Sequence, residues 1–284
     1  MYNENDLRNL AADYKDIKAP AQLKDKAGSI LAKRPGRMIR RLKTAGLAAA
    51  SLSIIFVGAA NLSPAFAENI KGIPFLNSAA QLVTFRVYEE TAEDSELSID
   101  QPQIKGMTDE DLAGALNQKY ADQAKTLYEE YLQKINGGIE HLTLISGYAV
   151  KADNGTTVSI EHSIFTAQAS GEQRYEYDTL DVKNQLYITL PSLFQDDSYL
   201  QRISDQIRQQ MKERMSAHPE QTYFLDESGF TGIDPKQQFY IDENQQLVIV
   251  FDEYAVAPGS MGAQEFTIPG SVIADLLIDN TYIK

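Results

Sequence analysis

The spacing of hydrophobic residues divides this chain into stretches of different character. Over residues 1–31, Leu7, Leu10, Tyr14 and Ile17 recur three or four apart and so share one helix face. Ala19-Pro20 interrupts that helix, and Leu23, Ala27, Ile30 and Leu31 begin a second short run. Some thirty residues bury little core by themselves, so an apolar stripe on this piece predicts docking to a partner. The pattern then changes: Thr44 to Leu62 contains no charged residue, directly after Lys33, Arg34, Arg37, Arg40, Arg41 and Lys43. At about 1.5 Å per residue such a helix is roughly 30 Å long, the depth of a bilayer's hydrocarbon core. The basic flank places the N-terminus in the cytoplasm and the C-terminal region outside the cell.

Beyond residue 80 short alternating runs predict strands and two longer 3.6-period runs predict helices. Strands are expected at Leu82–Tyr88, Leu97–Asp100, Leu142–Ala152, Thr156–Ala167, Gln173–Leu180 and Leu186–Thr189, with Asp153-Asn154-Gly155 as a hairpin turn. Thr108 is the expected N-cap of a helix with Leu112, Leu116, Tyr120, Leu127 and Tyr131 on its apolar face, ended by Asn136-Gly137-Gly138. A second helix, Tyr199–Ala217, buries Leu200, Ile203, Ile207 and Met211 and closes at His218-Pro219. Strands at Gln238–Ile241, Leu247–Asp252 and Ala263–Ile268 follow, then a short helix over Ser271–Leu277. The fold class is α+β: a cytoplasmic helical segment (1–43), one transmembrane helix (44–62), a juxtamembrane region (63–80), and an outer part of two similar halves (81–180 and 181–284), each with a helix packed on a mainly antiparallel sheet.

Charge sharpens the division. The net charge is −14, yet residues 1–67 carry 11 basic and 5 acidic side chains, a surplus of +6, while residues 68–284 carry 15 basic and 35 acidic ones, or −20. The acidic part repels nucleic acid and attracts a basic partner at long range; no direct nucleic-acid contact is expected. A hydrophobic content of 43% is that of a folded chain. There is no cysteine, which removes disulfides, thiolate catalysis and cysteine zinc sites, and no tryptophan.

Signals for catalysis are weak. His141, His162 and His218 have no metal-ligand spacing, and the chain has no nucleophile elbow, P-loop or dinucleotide glycine motif. Each histidine is expected to be a surface residue or a satisfied core residue, and no metal or cofactor is expected. Asp109-Glu110-Asp111 and Asp196-Asp197 sit at helix starts, where the helix dipole favours negative charge. Ala65-x-Ala67 before Glu68, just behind the apolar run, has the small-x-small pattern cut by signal peptidase. The segment Phe251–Gly262 carries an apolar strand into a Pro/Gly loop, a place where binding tends to reside.

Several segments resemble a known family. Leu180-Asp181-Val182-Lys183-Asn184-Gln185-Leu186 followed by Leu190-Pro191-Ser192-Leu193-Phe194 is similar to a stretch of the DUF3298 domain, with Asn184-Gln185 where the family has Thr-Gly. Tyr254-Ala255-Val256-Ala257-Pro258 and Gly262–Pro269 are similar to its C-terminal motif, and Gln101-Pro102-Gln103-Ile104-Lys105-Gly106 resembles the start of the DUF4163 domain that precedes it. Together with the segment and span in front, the arrangement is similar to the RsiV-like membrane-bound anti-sigma factors. The resemblance implies that the N-terminal segment, through Leu7, Leu10, Tyr14, Ile17 and Leu23, holds an extracytoplasmic-function (ECF) sigma factor. It implies that the outer part binds lysozyme or another basic extracellular protein, through Ser170 and the loop Pro258, Gly259 and Ser260. Binding would open the Ala65-x-Ala67-Glu68 site to signal peptidase, and a site-2 protease would then free the sigma factor. Where the family has an aromatic two residues after the proline, this chain has Ser260. One other reading remains open, a membrane-anchored surface binding protein or lysozyme inhibitor with no sigma partner. Related domains accompany peptidoglycan deacetylases, but this sequence has no deacetylase domain or metal cluster, and the chain is expected not to be an enzyme.

Overall fold

The computed structural model describes residues 73–91, 95–226 and 229–284. The expected membrane helix, the sigma-binding residues Leu7, Leu10, Tyr14, Ile17 and Leu23, and the cleavage site Ala65, Ala67 and Glu68 lie outside the described residues. Among the described residues no helix is long and apolar enough to cross a membrane.

The chain forms β1 (Ile73–Pro74), β2 (Gln81–Thr91), β3 (Glu96–Lys105), α1 (Glu110–Asn136), β4 (Thr143–Asp153), β5 (Thr157–Ala167), β6 (Gly171–Asp181) and β7 (Leu186–Ile188). These are followed by α2 (Ser198–Ala217), β8 (Phe239–Ile241), β9 (Leu247–Phe251), β10 (Gln264–Ile268) and a single turn, α3 (Gly270–Ile273). Strands β1 to β7 lie in chain order in one seven-stranded sheet, and β10-β9-β8 form a second, three-stranded sheet. All pairs are antiparallel except β3 with β4, which α1 connects as a parallel crossover. The fold is α+β as expected, but the sheets are unequal, because β7 adds to the first sheet rather than to the second.

Burial explains the order of layers. Leu116, Tyr120, Ala124, Leu127 and Tyr131 repeat at helical spacing and bury α1 against one face of the large sheet, on Leu97, Ile99, Leu144, Tyr148, Val158, Ile160, Ile164 and Leu180. The other face meets the small sheet, where Ala152 and Tyr177 pack on Tyr240, Val248 and Val250. The far face of the small sheet carries Phe239, Ile241, Leu247, Ile249, Phe251, Phe266 and Ile268 against Ile203, Ile207 and Met211 of α2. Central strand β5 is therefore covered on both faces, which is why Thr157 to His162 are all buried.

Two local departures from the sequence expectations, and one retained turn, have physical causes. The N-cap of α1 is Asp109, not Thr108: its carboxylate accepts the Leu112 N–H at 2.9 Å, and the acidic run offers several competing caps. Strand β3 runs on past Asp100 through Pro102. Pairing with β4 stops at Ile99, so Pro102 sits on a free edge where its missing N–H costs no ladder bond. Asn117 of α1 serves that edge instead, accepting the Ile104 N–H at 2.7 Å and donating to its carbonyl at 3.1 Å. The β6–β7 turn keeps a left-handed residue, Gln185 at φ 58°, where the family has glycine; Asp181 supports it by accepting from Asn184 at 2.8 and 2.7 Å.

The sheets are pinned by an ionic cluster. Lys151 of β4 lies 3.1 Å from Glu161 of β5 and 3.0 Å from Glu265 of β10. Its ammonium lies over the rings of Tyr177 and Tyr240, whose hydroxyls donate to Glu161 and Glu265 at 3.0 and 2.8 Å. Burial pulls the Lys151 pKa down, but the two carboxylates prevail and hold it above the ordinary lysine value. A raised folded-state pKa means that this contribution is complete at neutral pH and is lost as pH climbs through that raised value. Lys151→Met leaves Glu161 buried without its cation and is expected to cost about 2 kcal/mol, discounted for the partial exposure of the cluster. Urea melts at pH 7 and at alkaline pH check this. The gap between wild type and variant should narrow above the raised pKa, and a gap that does not depend on pH contradicts the ionic account.

Candidate ligand-recognition site

Strand β6 is an edge for most of its length, because β7 pairs with Thr179–Asp181 and leaves the rest uncovered. An uncovered edge presents every second N–H outward. Here those donors are taken by side chains at the ends of the small sheet. Gln238 accepts the Tyr177 N–H at 2.8 Å, Asp252 the Tyr175 N–H at 2.8 Å, and Glu253 the Gln173 N–H at 3.0 Å. Burial raises the Asp252 carboxyl above its ordinary value, and the bond from Tyr175 opposes that shift.

These three bonds decide where the Pro/Gly loop goes. Asp252 and Glu253 directly follow β9, so fixing them to β6 fixes the root of the loop. A turn closed from the Ala255 N–H to the Asp252 carbonyl at 3.1 Å places Tyr254 at φ 67°. Glycine is the usual occupant of such a position, and a bulky residue there costs about 1 kcal/mol or more. Tyr254 is nevertheless 56% exposed, and its ring occupies the space that any side chain on Gly259 would need. Val256 and Ala257 then bury in the core below α2, and the Val256 carbonyl accepts the Phe224 N–H at 2.9 Å. Pro258 opens a 3₁₀ turn over Gly259–Met261, and Ser260 at its crest is exposed.

The far root is held from α2. Buried Gln264 donates its amide to the carbonyls of Met261, Gly262 and Ala263 at 2.7, 3.2 and 3.3 Å. Its oxygen accepts from the Tyr223 hydroxyl at 2.8 Å, which in turn accepts from Arg214 at 3.2 Å. A cavity of about 400 Å³ lies beside this relay, lined by Arg214, His218, Gln221, Tyr223, Met261 and Gln264.

Ser170 is exposed in the β5–β6 turn, one residue before β6 begins. The Glu253–Gln173 bond thus fixes the root of the Pro/Gly loop three residues from Ser170, and Tyr254, next to Glu253, lies against Gly259. Asp252, Glu253, Gln238 and Gln264 were not legible as site residues. Their type is ordinary, and their partners are backbone groups 61 to 80 positions away or neighbouring carbonyls.

A larger cavity, about 670 Å³, lies between α1 and strands β5 and β6. His162 lies at its wall, buried and stacked on Tyr148 at 4.0 Å, with neither ring nitrogen hydrogen-bonded, so it is a core histidine without the partners expected of one. Burial lowers its pKa, against the pull of Glu176, 3.9 Å away. Among the described residues no group of three His, Asp or Glu side chains is placed to hold a metal ion.

A family model described as a protein of unknown function (DUF3298) matches residues 191–271, which take in α2, the small sheet and the Pro258 loop. The anti-sigma-V factor RsiV of Bacillus subtilis (strain 168) is 36% identical over 284 residues, covering 98% of this chain and 99% of that protein. The chain belongs to the RsiV family of anti-sigma factors. Two crystal structures of DUF3298 proteins share the fold. One, from Bacteroides fragilis, has a TM-score of 0.53 at 16% identity and covers 72% of this chain and 96% of its own. The other, from Pseudomonas aeruginosa, has a TM-score of 0.53 at 15% identity, with 72% and 97% covered. The described part of this RsiV-family chain therefore shares its fold with both structures.

The capping bonds can be tested singly. Asp252→Ala leaves the Tyr175 N–H without an acceptor at a partly buried edge and should cost about 1–2 kcal/mol. Amide hydrogen exchange at Tyr175 should quicken while β5 stays protected. Unchanged exchange at Tyr175 contradicts the role given to Asp252.

Proposed function

We propose that this RsiV-family chain is a membrane-bound anti-sigma factor. Residues 1–43 hold an ECF sigma factor on the cytoplasmic side, with Leu7, Leu10, Tyr14, Ile17 and Leu23 as the docking stripe. Residues 44–62 cross the membrane once. The α+β region lies outside and binds lysozyme or a similar basic protein through Ser170, Pro258, Gly259 and Ser260. Ligand binding then opens the bond between Ala67 and Glu68 to signal peptidase, and a site-2 protease frees the sigma factor with the N-terminal fragment.

The observation that carries this reading is identity to an anti-sigma factor along nearly the whole chain, 98% of it, rather than in the outer region alone. A protein that had kept the outer fold and lost the sigma partner would have no reason to keep the N-terminal segment. Charge supports the ligand side: the −20 beyond Ala67 suits a cationic protein, and complementary charge speeds encounter.

Full-length protein purified in detergent from the producing cell is expected to carry an ECF sigma factor identifiable by mass spectrometry. Deleting residues 1–31 should abolish that and raise transcription from the sigma factor's promoters. A deletion that changes neither contradicts the anti-sigma role and favours a surface binding protein whose tail is merely an anchor.

A further inference from the structure

The recognition loop is short of an anchor. Protein interfaces draw most of their binding energy from a few aromatic or arginine side chains set among smaller contacts. At the crest of this loop stand Pro258, Gly259 and Ser260, none of which is such a group. The aromatic that the family resemblance calls for two residues after the proline is absent.

Tyr254 stands against that crest. Among the described residues it is the most exposed aromatic side chain, at 56%. Its backbone is held in the left-handed region at φ 67°, which a tyrosine rarely adopts. The turn from Asp252 to Ala255 imposes that conformation, and the carboxylates of Asp252 and Glu253 fix the turn to β6. The result is a ring laid over Gly259, where even a methyl group would collide with it. Glycine at 259 is thus explained by the ring rather than by its own backbone. A bulky apolar side chain kept out of the core, in a glycine conformation, against the loop's crest, fits a contact surface better than it fits packing.

We infer that Tyr254 is the aromatic anchor of this site, meeting a small basic protein together with Pro258 and Gly259, with the Glu253 carboxylate beside it in the sequence and fixed to β6. This rests on reading the loop as the ligand contact surface; what it adds is the residue that carries the affinity.

The test uses the full chain in nanodiscs with hen egg-white lysozyme as the probe, in biolayer interferometry. Wild type should bind, Tyr254→Ala and Tyr254→Leu should each weaken binding about tenfold or more, chiefly through faster dissociation, and Tyr254→Phe should stay within about threefold. Circular dichroism melts show which variants are folded, and either Ala or Leu suffices. p-Benzoylphenylalanine at position 254 should crosslink to lysozyme, which distinguishes direct contact from an effect on loop shape. Wild-type binding with undiminished Ala and Leu variants, or with no crosslink from 254, overturns the inference and leaves the proposed function standing. No binding by wild type removes the lysozyme reading itself, and the anchor with it.

Discussion

The free edge of β6 is the constraint from which the rest of the outer architecture follows. An edge strand must have its outward N–H groups satisfied, and β7 is too short to do so. The chain solves this with side chains instead of a strand. Gln238, Asp252 and Glu253 each take one N–H, on alternate residues, from elements of the second sheet. The same bonds therefore close the first sheet, dock the second on it and block unwanted strand addition. Lys151, between Glu161 and Glu265, fastens the joint on the side away from that edge.

This arrangement gives the loop its character. One root is held by carboxylates on β6, the other by the Gln264 amide hung from Tyr223 and Arg214. Between them Val256 and Ala257 are sunk in the core, so Tyr254 and the Pro258 crest are presented from a rigid base. Preorganisation of this kind lowers the ordering cost of binding.

Much of this was legible in the residues. Helical spacing of Leu116, Tyr120, Leu127 and Tyr131 located α1 and its buried face, and Asp153-Asn154-Gly155 located the β4–β5 turn. Strand β5 ends where its pattern placed it, but β3 was cut short at Asp100, because Pro102 sits inside a strand whose edge is served by a helix side chain. The two sheets are unequal, seven strands and three, and nothing local in Leu186–Ile188 says which sheet it will join. The loop Phe251–Gly262 stood out by its Pro/Gly content, and Ser170 and Pro258 by family resemblance. The residues that hold the loop did not, because a glutamate that caps a backbone N–H 80 positions away looks like any surface glutamate.

The central claim is that the end of β6, with the Ser170 turn and the Tyr254–Ser260 loop joined on it, is the surface that meets a basic protein ligand. Hydrogen–deuterium exchange of the full chain in nanodiscs, with and without saturating lysozyme, tests it most directly. The account predicts added protection confined to residues 168–175 and 252–262, with α2 and β4 unchanged. Protection centred instead on α1 or on β1 and β2, with those two segments exchanging as before, would contradict it.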